Sequence, residues 1–422
     1  MGEISHSGTS WKIATALAAF MMINFIDKVV VGLVAVPMMD ELGLTPQQFG
    51  AIGSSFFWLY AVGGVVGGFL ANRFETKLLV LGMILIWSIC QLPIAWSTSV
   101  ATIIICRLVL GAGEGPAWPV AVHALCKWFP DNKRNLPIAI LAQGTSVGLM
   151  LAGVLIPAIT ARWGWRANFI IWAAVGLIWA AVWIYLAEEG RIEQDRSSGP
   201  VAATAAPVSY LRLLFDRSVL GCIVTHFVGY WSLALGLTWL PAYFQRGLGY
   251  DGIVSGQIYA LVIALTIPLG IVLAWWSQVL LEGGVPSKTA RGRYLSCFLM
   301  LAGALFAAVY LGGGSGGIKI GVLACAIGLT PVIYSLGPAI LAEVVPSPQR
   351  GAMLAINNSI ASMAGIAAPV ATGVVIQGVP GASGYEIGFA LCGALMVGGG
   401  LLGFWLIDPA RSLQALRAGQ GA

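Results

Sequence analysis

Four ionisable residues interrupt segments that are otherwise apolar and long enough to cross a bilayer. Asp27 and Lys28 lie in the first of these segments, and Arg107 and Glu114 lie in the fourth. A charged side chain at the centre of a membrane costs about 3 kcal/mol or more, so such residues are usually retained for binding or coupling. Two acids and two bases in this setting predict a site that binds an anion and exchanges protons.

The spacing of the four residues limits how they can interact. Neighbours on a helix point about 100° apart, so Asp27 and Lys28 need not form a pair. Arg107 and Glu114 share a helix face but stand about 10 Å apart along its axis. We expect Lys28 and Arg107 to bind a carboxylate, and Asp27 and Glu114 to couple it to protons. The alternative is a permanent ion pair, such as Asp27 with Arg107, that only orients the helices.

Five further polar residues in the apolar segments are weaker candidates for substrate binding: Asn24, Gln143, His226, Asn357 and Asn358. An amide or a neutral imidazole can bond a carboxylate or a hydroxyl group, but such side chains also form ordinary hydrogen bonds between membrane helices. For His226, packing against its neighbours is an equally good explanation. The three histidines do not have the spacing of metal ligands, so no metal site is expected.

Composition identifies the class of protein that holds these residues. Of the 422 residues, 58% are hydrophobic and 9% are charged, whereas a soluble domain carries about 25% charged residues. Twelve apolar runs between residues 12 and 407 reach the roughly 20 residues that a bilayer-spanning helix needs. The sequence therefore predicts an all-α membrane protein with twelve transmembrane helices. The first run contains Asp27 and Lys28 and lacks a cleavage site, so it does not resemble a signal peptide.

The distribution of Lys and Arg predicts the orientation in the membrane. Cytoplasmic loops carry an excess of these residues. If both termini are cytoplasmic, four lie outside: Arg162, Arg166, Arg246 and Lys319. Sixteen then lie on the cytoplasmic side: Lys12, Arg73, Lys77, Lys127, Lys133, Arg134, Arg191, Arg196, Arg212, Arg217, Lys288, Arg291, Arg293, Arg350, Arg411 and Arg417. The net charge of +5 thus reflects membrane insertion rather than binding to nucleic acid.

The longest polar stretch divides the chain into two halves of six helices. We predict an N-terminal bundle at 1–187, a cytoplasmic linker at 188–217 and a C-terminal bundle at 218–422. The halves resemble each other weakly, because Pro130 to Arg134 after the fourth run corresponds to Pro346 to Arg350 after the tenth. The pair Gly115-Pro116 would likewise correspond to Gly337-Pro338. These matches favour two parallel repeats related by an axis along the membrane normal.

One loop resembles a motif of the major facilitator superfamily. Residues 68–77, GFLANRFETK, are similar to the pattern G-x-L-a-D-R-x-G-R/K between the second and third spans of that family. The resemblance implies a gating loop that uses Arg73 and Lys77. Asn72 replaces the usual aspartate and Glu75 the usual glycine, which leaves the charge contacts of that loop open. The equivalent loop of the second half has largely lost the pattern.

Four other segments resemble the anion:cation symporter family, whose members carry galactonate, glucarate or phthalate. They are NFIDK at 24–28, RLVLGAGEGP at 107–116, WFP at 128–130 with Arg134, and WLPAYF at 239–244. Lys28 stands where the family usually has arginine. The resemblance implies a proton-coupled importer of an organic anion that works by alternating access as a monomer in the bacterial inner membrane. It implies a carboxylate substrate, either a sugar acid or an aromatic or small monocarboxylate.

Two other functions compete with import. A proton-driven exporter on the same fold often carries a G-P-x-x-G-G-like motif in the fifth span, and Gly144 to Gly153 lacks it. A membrane sensor without transport activity usually has an added soluble domain, and no loop is long enough for one. The sequence contains no phosphate-binding loop, dinucleotide fingerprint, nucleophile elbow or HExxH motif, so neither an enzyme nor a cofactor is expected.

Overall fold

A computed structural model describes residues 2–71, 73–129, 133–190, 208–346 and 349–418. Twelve helices in these ranges are long and apolar enough to cross a membrane, which confirms the predicted all-α architecture. We number them spans 1 to 12: Gly8–Leu33, Pro46–Ala71, Thr76–Trp96, Val100–Cys126, Leu136–Trp163, Arg166–Leu186, Arg217–Thr238, Gly252–Glu282, Lys288–Leu311, Gly316–Val344, Arg350–Gly378 and Ala382–Leu406. The span ends that the charge bias predicts to be cytoplasmic are called inner ends, and the others outer ends.

Some spans contain a break or continue beyond the apolar run. Span 4 turns at Gly115 and Pro116, and span 10 turns at Thr330 and Pro331. Pro338 lies inside a continuous helix, so the predicted correspondence with Gly115-Pro116 is wrong in position. The helices that make up the broken spans, and the short helices outside the spans, are Ala35–Leu42, Val100–Glu114, Ala117–Cys126, Tyr210–Leu214, Leu240–Ala242, Gly316–Leu329, Val332–Val344, Arg350–Ser362, Ala364–Gly378 and Pro409–Ala418. There are π-helical turns at Tyr243–Gly247 and Lys288–Arg293.

The chain divides into two compact units. Unit 1 comprises Met1–Pro200, Leu237–Gln245 and Gly249–Ala260, and unit 2 comprises Val201–Gly236, Arg246–Leu248 and Leu261–Ala422. Each unit therefore holds most of one predicted bundle, while the outer end of span 7 and the beginning of span 8 belong to unit 1. The predicted linker at 188–217 falls largely on residues 191–207, which lie outside the described residues.

In unit 1, the spans pack in pairs: 1 with 5, 2 with 4, and 3 with 6. Spans 2 and 4 approach backbone to backbone. A Cβ atom at Gly111 would stand 1.8 Å from the carbonyl oxygen of Phe56, and one at Gly115 would stand 2.1 Å from that of Tyr60. Small residues allow membrane helices to approach this closely. Any side chain at Gly111 or Gly115 would force spans 2 and 4 apart.

In unit 2, span 9 packs along span 12. Here too the helices meet at small residues. A Cβ atom at Gly303 would stand 2.6 Å from the carbonyl oxygen of Gly393, and one at Gly393 would stand 2.4 Å from that of Gly303. Both units thus use glycine contacts between spans, although the pairs of spans differ.

Glu189 joins three helix ends at the inner side of unit 1. Its carboxylate accepts hydrogen bonds from the backbone N–H groups of Thr76 and Lys77, at the beginning of span 3, and lies 2.5 Å from Lys127 Nζ at the end of span 4. Burial by itself would raise the pKa of Glu189, but the bonds from Lys127, Lys77 and Thr76 outweigh it and lower the pKa. Trp183 Nε1 donates to the Lys77 carbonyl and adds a further contact between spans 6 and 3.

The inner side of unit 2 has comparable contacts made by different residues. The Glu343 carboxylate, at the end of span 10, lies 2.7 Å from Arg291 and accepts a hydrogen bond from Ser287 at 2.6 Å. Lys288 Nζ lies 2.8 Å from Asp408, which follows span 12. Hydrogen bonding by Lys288 lowers the pKa of Asp408. In this unit Glu343 ends span 10, and the bases Lys288 and Arg291 begin span 9.

One contact is the same in both halves of the sequence. Arg134 Nε donates to the carbonyl of Phe129, and Arg350 Nε donates to the carbonyl of Val345, with a separation of five residues in each case. These arginines are the ones that align when the two halves are compared. The contact supports the predicted repeat at the ends of spans 4 and 10.

We predict that Glu189→Gln lowers the stability of the purified protein by about 1 to 2 kcal/mol, because Lys127 loses its charged partner and span 3 loses an anion at its beginning. Thermal unfolding in detergent measures this. Because the folded pKa of Glu189 is depressed, its stabilisation should be complete above its ordinary pKa of 4.5 and should decline as the pH falls through the folded value.

The exposed Glu75, whose ion-pair partner among the described residues is Lys77 at the same inner end, supplies the control. Glu75→Gln should leave the unfolding temperature unchanged at every pH. Equal stability of Glu189→Gln and the unchanged protein at pH 7 would contradict the role given to Glu189.

Candidate functional site

The guanidinium of Arg107 is a buried positive charge without a bonded partner in unit 1. The residue is only 3% exposed, in the middle of span 4. It forms no hydrogen bond or ion pair with any residue that the structure describes, and its Nε atom is buried and unsatisfied. The ring of Phe56 lies 4.8 Å from the guanidinium carbon. The predicted permanent ion pair between Asp27 and Arg107 is therefore not formed.

Asn24, Lys28 and Glu114 form a bonded triad. Lys28 Nζ donates to Asn24 Oδ1 at 2.7 Å, Asn24 Nδ2 donates to Glu114 Oε2 at 3.0 Å, and Lys28 Nζ lies 3.8 Å from the same carboxylate oxygen. Asn24 and Lys28 are one helical turn apart on span 1, which places both side chains on the face towards span 4. The triad links spans 1 and 4 and uses both ends of the Asn24 amide.

Aromatic rings border both cations of this site. Phe25 and Tyr60 lie 4.3 Å and 5.1 Å from Lys28 Nζ, measured to the ring centroids. Phe56 and Tyr60 come from span 2, at the two positions whose backbone contacts Gly111 and Gly115 of span 4. The glycine contacts thus bring the π faces up to the charges, where they partly replace the hydration of a cation.

Asp27 lies beside this triad but takes no part in it. Both of its carboxylate oxygens are buried and have no hydrogen-bond partner among the described residues. Its electrostatic neighbours are Glu114, Arg107 and Lys28, together with the amide of Gln91 in span 3. Gln91 is not among the site residues predicted from the sequence. A glutamine among the apolar residues of span 3 could have been recognised as a candidate by the same reasoning that identified Asp27.

His226 and Asn357 form a second polar group, which lies in unit 2. Asn357 Nδ2 lies 2.7 Å from His226 Nδ1. Since the amide nitrogen donates, the imidazole nitrogen accepts, which places the proton of a neutral ring on Nε2. The ring of Tyr334 meets His226 edge-on at 5.4 Å. His226 Nε2 and Asn357 Oδ1 are buried without a partner among the described residues, so a donor and an acceptor remain for a ligand.

Four of the predicted site residues belong to neither of these polar groups. Gln143 and Asn358 are exposed, and neither forms a hydrogen bond with the described residues. Arg73 is exposed at the inner end of span 2. Lys77 pairs with Glu75 at 3.0 Å, and its backbone contacts Glu189 and Trp183. Asn72, the altered position of the loop motif, lies outside the described residues.

The comparisons with known proteins agree with this architecture. The family model described as Major Facilitator Superfamily matches residues 16–331. The chain is 28% identical to the probable sulfoacetate transporter of Cupriavidus necator over 95% of this chain and 94% of the relative. It is 27% identical to the hexuronate transporter of Bacillus subtilis over 92% of each chain, and 24% identical to the D-galactonate transporter of Escherichia coli over 89% and 91%.

Solved structures show the same fold at lower sequence identity. A bacterial homologue of the human lysosomal transporter Spinster, in an inward-facing and occupied conformation, superimposes with a TM-score of 0.78 at 18% identity, over 96% of this chain and 97% of that one. A D-xylose-proton symporter superimposes with a TM-score of 0.73 at 15% identity, over 95% and 99%. The family match, the twelve spans and the anion-transporting relatives confirm the resemblance: the chain belongs to the Major Facilitator Superfamily and is a multi-pass membrane transporter rather than an enzyme.

Proposed function

We propose that this transporter imports a small organic anion together with protons. The observation that carries the proposal is Arg107, a cation that is 3% exposed and has no bonded partner among the described residues. A buried charge without a partner is costly, so an anion that reaches it gains a strong interaction. Lys28 is already bonded to Asn24 and lies close to Glu114, which leaves Arg107 as the primary contact for the anion.

The substrate that fits this contact is a carboxylate. A guanidinium presents two parallel N–H groups that match the two oxygens of a carboxylate. The named cargoes of three relatives, sulfoacetate, hexuronate and D-galactonate, all carry a carboxylate. In unit 2, His226 and Asn357 offer neutral polar groups that suit hydroxyl or carbonyl groups of a ligand. A sugar acid and a small or aromatic monocarboxylate are both candidates.

Proton coupling rests on the two acids near Arg107. When both Asp27 and Glu114 are ionised, they balance the charges of Lys28 and Arg107. Protonation of either acid leaves the site one positive charge in excess, which favours an anion. By linkage, a bound anion then favours protonation to the same extent. We assign Asp27 and Glu114 to this role, as the sequence analysis did.

The energetics of import require this coupling. Moving one negative charge into a cell against an inside-negative potential costs about 2.3 kcal/mol per 100 mV. If more than one proton accompanies each negative charge, the net charge moved is positive and the potential drives import. The charge bias supports an inner-membrane location with both termini in the cytoplasm. We further propose that the monomer is the working unit, with alternating access between its two bundles.

We predict that Arg107→Gln weakens anion binding about 100-fold, because two charge-assisted hydrogen bonds are lost, and that Arg107→Lys recovers only part of it. Binding of a panel of sugar acids and monocarboxylates to purified protein is measured by thermal shift and calorimetry. Arg162→Gln, at an exposed position on span 5, is the matched control. Unchanged affinity in Arg107→Gln would contradict the proposal.

Asp27→Asn is expected to separate transport from its driving force. Reconstituted variant protein should exchange labelled anion across the vesicle membrane at a rate within about threefold of the unchanged protein, since the neutral amide resembles a protonated carboxyl group. It should not accumulate the anion when a pH gradient is imposed. Asp40→Asn, at an exposed outer position, should keep both activities. Full accumulation by Asp27→Asn would remove Asp27 from proton coupling.

Lys28 tests the importance of the triad. Lys28→Met keeps the volume but leaves Glu114 with Asn24 alone, so we expect loss of anion uptake and a lower unfolding temperature. Lys28→Arg should retain most of the uptake, because it preserves the charge. Lys12→Met, at an exposed position near the inner end of span 1, serves as the control. If the methionine variant transports normally, the triad has no role in transport.

A further inference from the structure

Gln91 is a polar residue on the buried face of span 3. That face is buried and contains Val80, Ile84, Trp87, Ile94 and Ala95, with Ser88 as the other polar member near Gln91. Gln91 is 1% exposed. Its position, about 8 Å from the outer end of span 3, keeps it within the apolar part of the span.

The Gln91 amide has no partner that would account for its burial. Neither its nitrogen nor its oxygen forms a hydrogen bond with the described residues. An amide transferred from water without a compensating hydrogen bond is destabilising. Spans 1 and 3 meet one turn away, where the ring centroids of Phe20 and Trp87 lie 4.8 Å apart. Beyond this contact the Gln91 amide interacts with the Asp27 carboxyl, although the two groups do not reach the geometry of a hydrogen bond. Two unsatisfied groups therefore face each other between spans 1 and 3.

Each acid of the site thus has one amide beside it. Asn24 donates to Glu114, but its oxygen is held by Lys28, so this amide is fixed in one orientation. No residue in the described part of the chain holds either end of Gln91 in the same way. The difference indicates that the surroundings of Glu114 are fixed, whereas those of Asp27 can rearrange.

We propose that Gln91 is the positioning residue of the Asp27 proton site. A glutamine amide suits this task because it can serve both forms of a carboxyl group. Its NH₂ group can donate to the ionised carboxylate, and after a turn of the side chain its oxygen can accept from the protonated acid. The inference rests on the proposed proton coupling and adds the residue through which Asp27 is oriented in each protonation state.

Burial and four neighbouring groups together determine the titration of Asp27. Glu114 and Arg107 project from span 4, Lys28 is its neighbour on span 1, and Gln91 comes from span 3. The charged groups change when substrate or protons bind. Gln91 is uncharged throughout the cycle, so replacing it alters the proton site without changing the charge that meets the substrate. This separation allows a specific test.

Gln91→Met keeps the length and approximate volume of the side chain and removes its polar atoms. Without the N–H donor the ionised form of Asp27 is less stable, so the alkaline limit of gradient-driven uptake should move up by about one pH unit. Anion affinity and exchange at a fixed acidic pH should stay within about twofold of the unchanged protein. Ser88→Ala removes the other polar group of this face and should leave the pH profile unchanged.

Two further variants make the result decisive. Gln91→Glu places a second carboxyl group beside Asp27, so it should shift the alkaline limit in the same direction and add a second titration step. It also keeps the test available if the methionine variant does not fold. In an Asp27→Asn background, Gln91→Met should have no effect on the pH dependence of exchange, because the group that it orients is gone.

The outcomes distinguish this inference from the function on which it rests. If Asp27→Asn still accumulates anion under a pH gradient, the proton role of Asp27 fails and Gln91 has nothing to orient. If Asp27→Asn is uncoupled but the Gln91 variants follow the unchanged pH profile, only the positioning role is overturned. A shift in Gln91→Met that persists in the Asp27→Asn background would also overturn it.

Discussion

The positive charge of Arg107 is the constraint on which the first unit depends. Hydrocarbon offers no hydrogen bonds to a guanidinium, so the protein must supply negative or polarisable groups within reach. Spans 1 and 4 provide Asp27 and Glu114, and span 2 provides the ring of Phe56. The ring reaches the cation because Gly111 allows the backbones of spans 2 and 4 to touch. The electrostatics of the site therefore depend on helix packing, because a side chain at Gly111 would move Phe56 away from Arg107.

The same constraint makes the two acids different. Glu114 receives a hydrogen bond from Asn24 and lies near Lys28, so much of its charge is met within the protein. Asp27 receives no hydrogen bond from the residues that the structure describes, although it lies next to Lys28 in the sequence. Adjacent residues on a helix diverge, which directs Lys28 to span 4 and leaves Asp27 towards Gln91 on span 3. One acid is thus part of a fixed network, and the other can change its bonding as protons and anions come and go.

Much of this was predictable from the sequence, and the exceptions have a common physical origin. The twelve spans follow from apolar length alone, and the four intramembrane charges follow from their cost. The rotation of each helix about its axis does not follow from either. Asn357 and Asn358 are neighbours of the same residue type, yet only Asn357 is turned towards His226, while Asn358 and Gln143 are exposed. Gln91 was missed because its significance comes from Asp27, on a different span.

At the inner ends of the spans, some contacts are shared by the two halves of the chain and others are made by different residues. Arg134 and Arg350 keep the same contact because each bonds to a backbone carbonyl, which any residue supplies. The ion pairs need particular side chains, and there the halves differ: Lys127 at the end of span 4 pairs with Glu189, whereas Glu343 at the end of span 10 pairs with Arg291 at the beginning of span 9. An acid follows span 6 as Glu189 and span 12 as Asp408, but its cationic partner ends span 4 in the first half and begins span 9 in the second. A motif that has degenerated in one half can therefore coexist with ion pairs that still join helix ends there.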